Sequence, residues 1–438
     1  MDNIYLVSEE QLTYENIEII LRKHFEAKLE TCIKTNVSVS QTSINTYKVH
    51  GIRSNNVSNI ELIIARGSGS FVDVLVYREQ TSDDLNKKTP TEIWEITKNA
   101  PGKGESGNMT SQRLSKIVSI NNSGMSGVPF YYLIDHNETI SESDVNKSNA
   151  TTLGYFQALG ANILFTTQDS TEATEYYPKN VPKSLKDLEH NGRVNFCNID
   201  KAGNVTLKSN LYKNKKTKSG SHDPNVGWVC GMIGLCSKLN SKSIVLESNR
   251  DISSFKAENK LIKVLNHYNV EVSYNGKKLV LPKSKKQQDY WSPETTGEKL
   301  STISLHYKAL NNGLDPIFHN HAGCEKGYVK RITSELVQPA GGKGLPDFVY
   351  ADHVKKILYV IEGEREDNYL SGLKQVKDPE FKNWIKRELS TYQGYNAEAY
   401  IVTNGTANSN NVHNFYSTQE NNLHFFNKNA KPVYTISL

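Results

Sequence analysis

The sequence feature that most restricts the fold is an alternation of β-type and helical segments in the first part of the chain. Two β-rich runs flank a Gly/Ser turn within 59–79, and a third run occupies 91–98. Helical segments at 111–120 and 149–161 then alternate with further β-rich runs. With an amphipathic opening helix at 13–33, the order is α-βββ-α-β-α-β. Strands that alternate with helices predict an α/β fold with a mixed sheet.

The length of the chain predicts more than one domain. A chain of 438 residues suggests two or three domains, each large enough for its own core. We predict a first α/β domain at 1–170 and a third domain at 296–438. The region between them, 171–295, contains a lysine-rich stretch, a helical segment at 253–268 and a β-hairpin at 270–282. This region is either a middle α/β module or an insertion.

The composition is typical of a soluble globular protein. Hydrophobic residues make up 37% and charged residues 23%. No apolar run approaches the roughly 18 residues that cross a bilayer, and the acidic N-terminus has no secretory pattern. The five cysteines are odd in number and scattered, which favours a reducing cytoplasm. Cys230 and Cys236 have no second pair at ligand spacing, so we expect buried thiols rather than a metal site.

The positive charge is concentrated in two places. The net charge is only +5, yet six lysines and no acidic residue lie between Lys201 and Lys218. A second cluster of five lysines lies within 277–286. Basic clusters suit a polyanionic partner, because each phosphate contact releases counterions. A solvated loop in a lysine-rich chain is the alternative interpretation.

Three carboxylates lie at the ends of two predicted strands in the stretch GLPDFVYADHVKKILYVIEGE, residues 344–364. Residues two apart on a strand point to the same face, so Glu362 and Glu364 share one side. Two adjacent carboxylates repel each other unless a cation lies between them or one is protonated. Asp347, on the preceding strand of a predicted hairpin, can approach the same point. Oxygen ligands of this kind suit Mg²⁺, which can orient a water against a phosphodiester.

The pair Pro346–Asp347, followed on the next strand by Glu362-Gly-Glu364, resembles the PD-(D/E)xK nuclease superfamily, which includes most type II restriction endonucleases. The resemblance implies that Asp347 and Glu362 are metal ligands. The third position is usually a lysine. Here it is Glu364, which is suited to a role as base or ligand but cannot stabilise hydroxide by positive charge. Glu335 would be the additional glutamate that many such enzymes carry.

A second set of residues resembles the same pattern in the first domain. Asp73 lies in FVDVLVY, and the next predicted strand carries Glu95 and Lys98 in WEITK. The following helix carries Gln112 and Arg113, as does a helix behind the active site of some restriction enzymes. The usual spacing is acid-x-Lys, whereas Ile96 stands two positions before Lys98. A bulge that re-aims the strand, a different placement of Lys98, or weak catalysis would each account for this. An ordinary amphipathic strand is the alternative.

Histidines near acidic residues offer two further candidate sites. His319 and His321 precede Glu325. These three residues together suit the site of a one-metal histidine nuclease or a zinc site. A solvated or DNA-contacting loop is the simpler interpretation. For His222 and Asp223, a structural turn is the preferred interpretation, and a DNA-contacting loop is the alternative.

The resemblance predicts a Mg²⁺-dependent, sequence-specific endonuclease of a restriction–modification system that hydrolyses double-stranded DNA as a monomer or homodimer. Two nuclease-like cores would let one chain cut both strands, and one active core with a recognition scaffold is the simpler version. A non-catalytic DNA-binding protein on a degenerate nuclease fold, or a nuclease of another role, are the alternatives. We expect Lys213, Lys215, Lys216 and Lys218 to contact DNA phosphates.

Overall fold

A computed structural model describes most of the chain. The described residues are 1–8, 12–25, 37–43, 46–52, 54–64, 72–97, 109–135, 145, 147–166, 171–188, 193–211, 223–283, 305–319, 327–328, 344–403, 412–414 and 431–438. The strands within these ranges are β1 (Asp2–Ser8), β2 (Ser38–Ser43), β3 (Thr46–His50), β4 (Val57–Ile64), β5 (Val74–Glu79), β6 (Glu92–Thr97), β7 (Phe130–Ile134), β8 (Ala161–Thr166), β9 (Ala173–Glu175), β10 (Val194–Ile199), β11 (Asn204–Ser209), β12 (Ser243–Glu247), β13 (Glu271–Tyr274), β14 (Lys277–Lys278), β15 (Asp315–His319), β16 (Gly327–Tyr328), β17 (Phe348–Asp352), β18 (Ile357–Glu364), β19 (Asn396–Thr403), β20 (Val412–Asn414) and β21 (Tyr434–Ser437). The helices are α1 (Tyr14–His24), α2 (Met109–Asn122), α3 (Lys147–Leu159), α4 (Asp223–Lys238), α5 (Lys260–His267), α6 (305–311), α7 (Tyr369–Lys377) and α8 (Pro379–Glu388). The predicted α/β class is confirmed.

The chain forms two compact units. Unit 1 contains Met1–Lys88 together with Pro293–Leu438, and unit 2 contains Thr89–Ser292. This division differs from the three predicted domains. The predicted boundary at 295 lies close to the observed one at Pro293, whereas the boundary at 170 has no counterpart in the division.

The N-terminal part of unit 1 has strands in the order β2-β3-β4-β1-β5. Strand β1 is parallel to β4 and antiparallel to β5, so it is a central strand. The predicted element order was wrong here, because it began with a helix and omitted β1, β2 and β3. Helix α1 begins after Thr13, whose side chain accepts a hydrogen bond from the N–H of Asn16. The helix ends at His24, earlier than the predicted residue 33, and residues 26–36 lie outside the described ranges.

The C-terminal part of unit 1 has strands in the order β16-β15-β17-β18-β19-β20, and β21 pairs with β19. Strand β18 lies between β17, which is antiparallel to it, and β19, which is parallel. One sheet face, with Leu358 and Val360, packs with apolar residues of α7 and α8, and the other face, with Tyr359 and Ile361, packs with α6. The buried centre of this sheet is therefore β18.

The polar region at 370–395 contains two helices rather than one continuous helix. Helix α7 ends at Lys377, and α8 begins at Pro379. The side chain of Asp378 accepts a hydrogen bond from the N–H of Glu380 at 2.8 Å. Proline has no N–H for a continuing helix but fits the first turn of a new one, so the helix restarts at this point.

Unit 2 contains two groups of strands. In the first, of order β6-β7-β8-β9, strands β6, β7 and β8 are parallel and are connected by α2 and α3. In the second, of order β10-β11-β12-β13-β14, strands β11, β12 and β13 are parallel and are connected by α4 and α5. The predicted hairpin of β13 and β14 is confirmed. Helix α5 is shorter than predicted, because Asn259 caps it by accepting a hydrogen bond from Leu261 N–H at 2.9 Å.

Helices α2 and α4 pack closely in unit 2 because two glycines lie at their contact. A Cβ atom on Gly231 would lie 2.9 Å from Leu114, and one on Gly234 would lie 2.7 Å from Val118. Cys230 and Cys236 lie on the same helix and are both buried. The prediction that they are buried thiols is confirmed.

None of the helices in the described ranges is both long and apolar enough to cross a lipid bilayer.

Candidate functional site

The carboxyl end of β18 carries two buried carboxylates on one face of the sheet. Leu358, Val360, Glu362 and Glu364 alternate along the strand and therefore point to the same side. The first two belong to the core formed with α7 and α8. The side chains of Glu362 and Glu364 continue this face and are only 5% and 8% exposed. A buried pair of this kind costs free energy unless protons, hydrogen bonds or cations compensate the charges.

The side chain of Asp347 is hydrogen-bonded to the backbone between these two glutamates. Its Oδ2 accepts a hydrogen bond from the N–H of Gly363 at 2.7 Å. Its own N–H donates to the carbonyl of Ile361 at 2.9 Å. The strand register pairs Phe348 with Ile361, and Asp347 lies one residue before Phe348, beside Glu362. The structure therefore places Asp347 beside Glu362, directly before the strand next to the one that carries both glutamates.

Glu364 is held by residues of the segment that follows β18. The side-chain amide of Asn368 donates to Glu364 Oε2 at 2.8 Å. Gly372 of α7 lies against the side chain, since a Cβ atom added there would be 2.5 Å from Glu364 Cγ. Burial raises the pKa of Glu364 above its usual value, although the bond from Asn368 and the charge of Arg365 act in the opposite direction. Sequence reasoning missed both Asn368 and Gly372, because their contact with Glu364 depends on how α7 packs.

The donor chemistry of this site fits Mg²⁺. Within the described ranges, no three His, Cys, Asp or Glu side chains form a ready set of ligands for a metal ion. Mg²⁺ is typically held by one or two carboxylates and completes its shell with waters and substrate phosphates. Asp347 and Glu362, from neighbouring strands, are the two residues suited to this role. A Mg²⁺ ion held by these two carboxylates therefore stays a prediction.

The residues predicted for the N-terminal site lie in different units or outside the described ranges. Asp73 directly precedes β5 in unit 1 and is 2% exposed, whereas Glu95 lies on β6 in unit 2 and is fully buried. Lys98 lies outside the described residues. Strand β6 pairs regularly with β7 from Ile93 to Thr97, so no bulge re-aims the strand within this stretch.

Glu95 lies in a buried ionic cluster with two cations of α2. Its Oε1 is 2.8 Å from Arg113 Nε and 2.7 Å from Lys116 Nζ, and its Oε2 accepts from the same Nζ at 2.8 Å. Arg113, which the sequence resemblance singled out, thus contacts the predicted carboxylate. Lys116 was missed, although its spacing of three residues from Arg113 places both on one helix face. An ammonium group is therefore present beside Glu95, and it comes from α2.

Several other predicted residues lie where the structure describes nothing. They are Glu335, His222, His321, Glu325 and the lysines 213, 215, 216 and 218. Gln112 lies on α2, Asp223 begins α4 and His319 ends β15, but the side chains of these three are not described. Their predicted roles stay predictions.

Comparisons with models of known families, with curated proteins and with solved structures found no match to this chain.

Proposed function

We propose that this protein is a Mg²⁺-dependent endonuclease that hydrolyses double-stranded DNA, with the character of a type II restriction enzyme. The observation that supports this most is the attachment of Asp347 to the backbone N–H of Gly363, between two buried glutamates. A solvated hairpin with acidic ends would leave these side chains in water. Here they lie at the carboxyl end of a central strand, close to the core, on PD-(D/E)xK-like positions.

Each of the three carboxylates has a role in the proposed reaction. Asp347 and Glu362 would hold Mg²⁺, which supplies Lewis-acid stabilisation of charge on the phosphodiester. Glu364 takes a proton from the attacking water, because burial raises its pKa and makes it a better base than an exposed glutamate. The water oxygen bonds to phosphorus while the P–O bond to the leaving sugar oxygen breaks. Asn368 and Gly372 keep the Glu364 carboxylate in one orientation.

The cluster around Glu95 supports a second core in the same chain. Glu95 is fully buried beside Arg113 and Lys116. The desolvation of such buried charges can cost more free energy than their attraction returns, so stability alone is a weak reason for the cluster. We therefore propose that Glu95 belongs to a second catalytic centre, for which the sequence resemblance also indicates Asp73, so that one core cuts each DNA strand. Such a monomer would make a double-strand break at an asymmetric site, and one active core with a recognition scaffold, or a homodimer, is the simpler arrangement. We propose a cytoplasmic location, where an enzyme of this kind meets DNA.

A digest of unmethylated phage DNA tests the proposal. The purified protein is incubated with the DNA in Mg²⁺ and, separately, in EDTA. Discrete fragments that require Mg²⁺ are the expected result, and mapping their ends gives the recognition site. A Mg²⁺-dependent smear would show nuclease activity without the sequence specificity of a restriction enzyme, as expected of a nuclease with another role. Intact DNA in both conditions would contradict the proposal.

A non-catalytic DNA-binding protein is the second candidate. Two observations favour it: Glu364 stands at the position that the superfamily gives to lysine, and both oxygens of Glu95 are bonded to cations. This candidate predicts DNA binding that is independent of Mg²⁺ and no cleavage of any substrate. Incubation with modified as well as unmodified DNA separates it from an enzyme that requires modified bases.

A further inference from the structure

One end of the C-terminal sheet of unit 1 carries a histidine between a carboxylate and a tyrosine. His353 directly follows β17, at the end of the sheet opposite to Glu362 and Glu364. Its Nε2 lies 3.1 Å from Asp315 Oδ2, and its Nδ1 lies 2.9 Å from the hydroxyl oxygen of Tyr395. Asp315 begins β15, and Tyr395 directly precedes β19. We call Asp315, His353 and Tyr395 the Asp–His–Tyr triad.

The chemistry of these two hydrogen bonds assigns the proton on the histidine ring. A carboxylate has no proton to donate, so Nε2 of His353 donates to Asp315. In the neutral imidazole, Nδ1 then carries a lone pair and accepts from the hydroxyl of Tyr395. The histidine is therefore oriented as a base toward the tyrosine. The carboxylate would stabilise the imidazolium that forms when Nδ1 takes a proton.

The members of the triad are held by ordered parts of the sheet. The ring of Tyr395 packs against the apolar core formed with α7 and α8, and its backbone carbonyl accepts from the N–H of Leu438 at 2.9 Å. The turn that carries His353 is closed by Asp352, whose Oδ1 accepts from two backbone N–H groups of that turn. The side chain of His353 is nevertheless 51% exposed, so the polar groups of the triad can be reached from solvent.

This environment is the one expected of an activated nucleophile. Nucleophilic catalysis requires a nucleophile within hydrogen-bond reach of a base, and a third group that orients the base. The distances of 2.9 Å and 3.1 Å meet both conditions. Among the described residues, the Tyr395 hydroxyl bonds to no group other than His353. A reactant that approaches the oxygen therefore displaces no other partner.

The charges around the triad favour a neutral reactant. The turn after β17 carries Asp352, Lys355 and Lys356, and Asp352 is paired with Lys355 at 3.3 Å. Together with Asp315, these side chains sum to zero net charge. An anionic phosphodiester needs positive charge on its oxygens in the transition state, so a neutral carbonyl compound fits better. Val354, in the same turn, is 95% exposed and offers an apolar contact to such a molecule.

We propose that Tyr395 is a nucleophile that takes the acyl group of a neutral carboxylic ester, with His353 as its base and Asp315 as a positioning residue. The Tyr395 oxygen bonds to the carbonyl carbon while its proton passes to Nδ1 of His353. The bond from that carbon to the alcohol oxygen breaks, and the alcohol leaves with the proton from Nδ1. Water then gives a proton to Nδ1 and bonds to the acyl carbon, and Tyr395 leaves with that proton. The products are a carboxylic acid and an alcohol.

The test uses the full chain in EDTA, without DNA, and p-nitrophenyl acetate as the probe. We expect a burst of about one p-nitrophenol per chain, as an acyl-enzyme accumulates, and peptide mass spectrometry should find the acetyl group on Tyr395. Tyr395→Phe should abolish the burst, and His353→Gln should slow it about 10²-fold, as expected for loss of a general base. Tyr392→Phe is the matched control and should retain the burst. Its ring lies 5.5 Å from that of Tyr395, but among the described residues Tyr392 bonds to no histidine.

A second measurement separates the triad from a hydrogen bond that only supports the fold. Nitrogen-15 NMR of protein labelled at histidine should show the proton of neutral His353 on Nε2. Asp315→Asn should lose this tautomer preference and slow the burst, whereas Tyr392→Phe should retain both. The melting temperature of each variant shows whether it is folded.

Three results would overturn the inference: an equal burst in Tyr395→Phe, an acetyl group on His353 instead of Tyr395, or a wild-type proton on Nδ1. Reaction of Tyr395 with bis(p-nitrophenyl) phosphate but not with the acetate would overturn the choice of an ester. The inference does not depend on the proposed nuclease, whose site lies at the other end of β18. Cleavage of DNA in Mg²⁺, measured separately, reports on the proposed function alone.

Discussion

The carboxylate of Asp347 is attached to the backbone of Gly363, with Oδ2 2.7 Å from the amide nitrogen. This bond crosses from the residue before β17 to the second-last residue of β18, so it fixes the side chain at the carboxyl end of the central strand. It also places the Asp347 carboxylate at the backbone of Gly363, the residue between Glu362 and Glu364. The bond requires an oxygen acceptor on residue 347, but not a negative charge, and a substitution can separate these two requirements.

Asp347→Asn should abolish most double-strand cleavage without disturbing the fold. An asparagine retains an oxygen that accepts the N–H of Gly363, but it removes the charge that would hold Mg²⁺. We expect the initial rate at which plasmid becomes linear in Mg²⁺ to fall about 10²–10³-fold, as when a single preorganised electrostatic group is removed from an active site. Binding of the duplex in EDTA should be unchanged.

Asp352→Asn is the control for this substitution. Asp352 ends the same strand at its other end, where its Oδ1 accepts from the N–H groups of Val354 and Lys355. It should cleave at the rate of the wild type. Cleavage by Asp347→Asn at that rate would remove Asp347 from the site.

If each core cuts one strand, Asp73→Asn and Asp347→Asn should each convert the enzyme into a nicking enzyme. Supercoiled plasmid would then accumulate as open circles and would not become linear, whereas the wild type gives linear DNA. The two variants should nick opposite strands, which sequencing of the nicked product shows. If either variant alone still cuts both strands at the full rate, the model of one core per strand fails.

Glu95→Ala should destabilise unit 2 strongly, because it leaves Arg113 and Lys116 buried without this carboxylate. Breaking a buried ionic cluster by removing one member typically costs about 3–5 kcal/mol. Urea unfolding followed by tryptophan fluorescence measures the loss. Glu271→Ala is the control in the same unit, because it removes an exposed pair with Lys278, and such pairs contribute about 0–1 kcal/mol. Equal losses in the two variants would show that the buried cluster contributes nothing beyond a surface pair.

Local patterns predicted those parts of the site that depend on neighbouring residues in the chain. The alternation in β18 was sufficient to place Glu362 and Glu364 on one face, and the short break before it was sufficient to bring Asp347 near. Lys116 and Gly372 could not be found in this way, because their contacts depend on how α2 and α7 pack on strands. Spacing within a helix shows which residues share a face, but not what that face contacts.

The same distinction accounts for the errors in the fold. Strand β1 lies between β4 and β5, although it is the first element of the chain. Its partners at Val57–Ile64 and Val74–Glu79 are far away in sequence, so no local turn signal indicates the pairing. The composition of unit 1 likewise depends on packing, because Met1–Lys88 and Pro293–Leu438, from the two ends of the chain, form this unit together. Tyr307 shows this directly, because its hydroxyl donates to the carbonyl of Leu12 at 2.7 Å.

Gly372→Ala should reduce cleavage although it favours the helix. Alanine is better than glycine inside a helix by about 0.8–1 kcal/mol, but here its Cβ would lie 2.5 Å from Glu364 Cγ and displace that side chain. A shift of about 1 Å in an active-site group can cost about 10²-fold in rate. Ser371→Ala, at the preceding exposed position, is the control and should leave cleavage unchanged. A fully active Gly372→Ala would show that the orientation of Glu364 does not matter for the reaction.

Glu364 should make the metal-free protein less stable as the pH rises. Burial raises the pKa of Glu364 in the folded state, so folding favours the protonated form. The unfolded chain loses this proton near pH 4.3, and the folded protein loses it at a higher pH. The stability is therefore fully present below the unfolded pKa and is lost as the pH rises through the folded pKa. Glutamine cannot ionise, so Glu364→Gln removes this loss.

Thermal melting in EDTA at pH 4 and pH 8 measures the effect of Glu364→Gln. The variant should melt at a higher temperature than the wild type at pH 8, and the difference should shrink at pH 4. Glu380→Gln is the control, because this exposed acid lies in the first turn of α8, where a negative charge is favourable, so its removal should bring no gain. Mg²⁺ at pH 8 should raise the melting temperature of the wild type more than that of Glu364→Gln, since only the wild type has a carboxylate at this position to compensate. Identical melting temperatures of the wild type and Glu364→Gln at pH 8 would show that the Glu364 charge is already compensated within the folded chain.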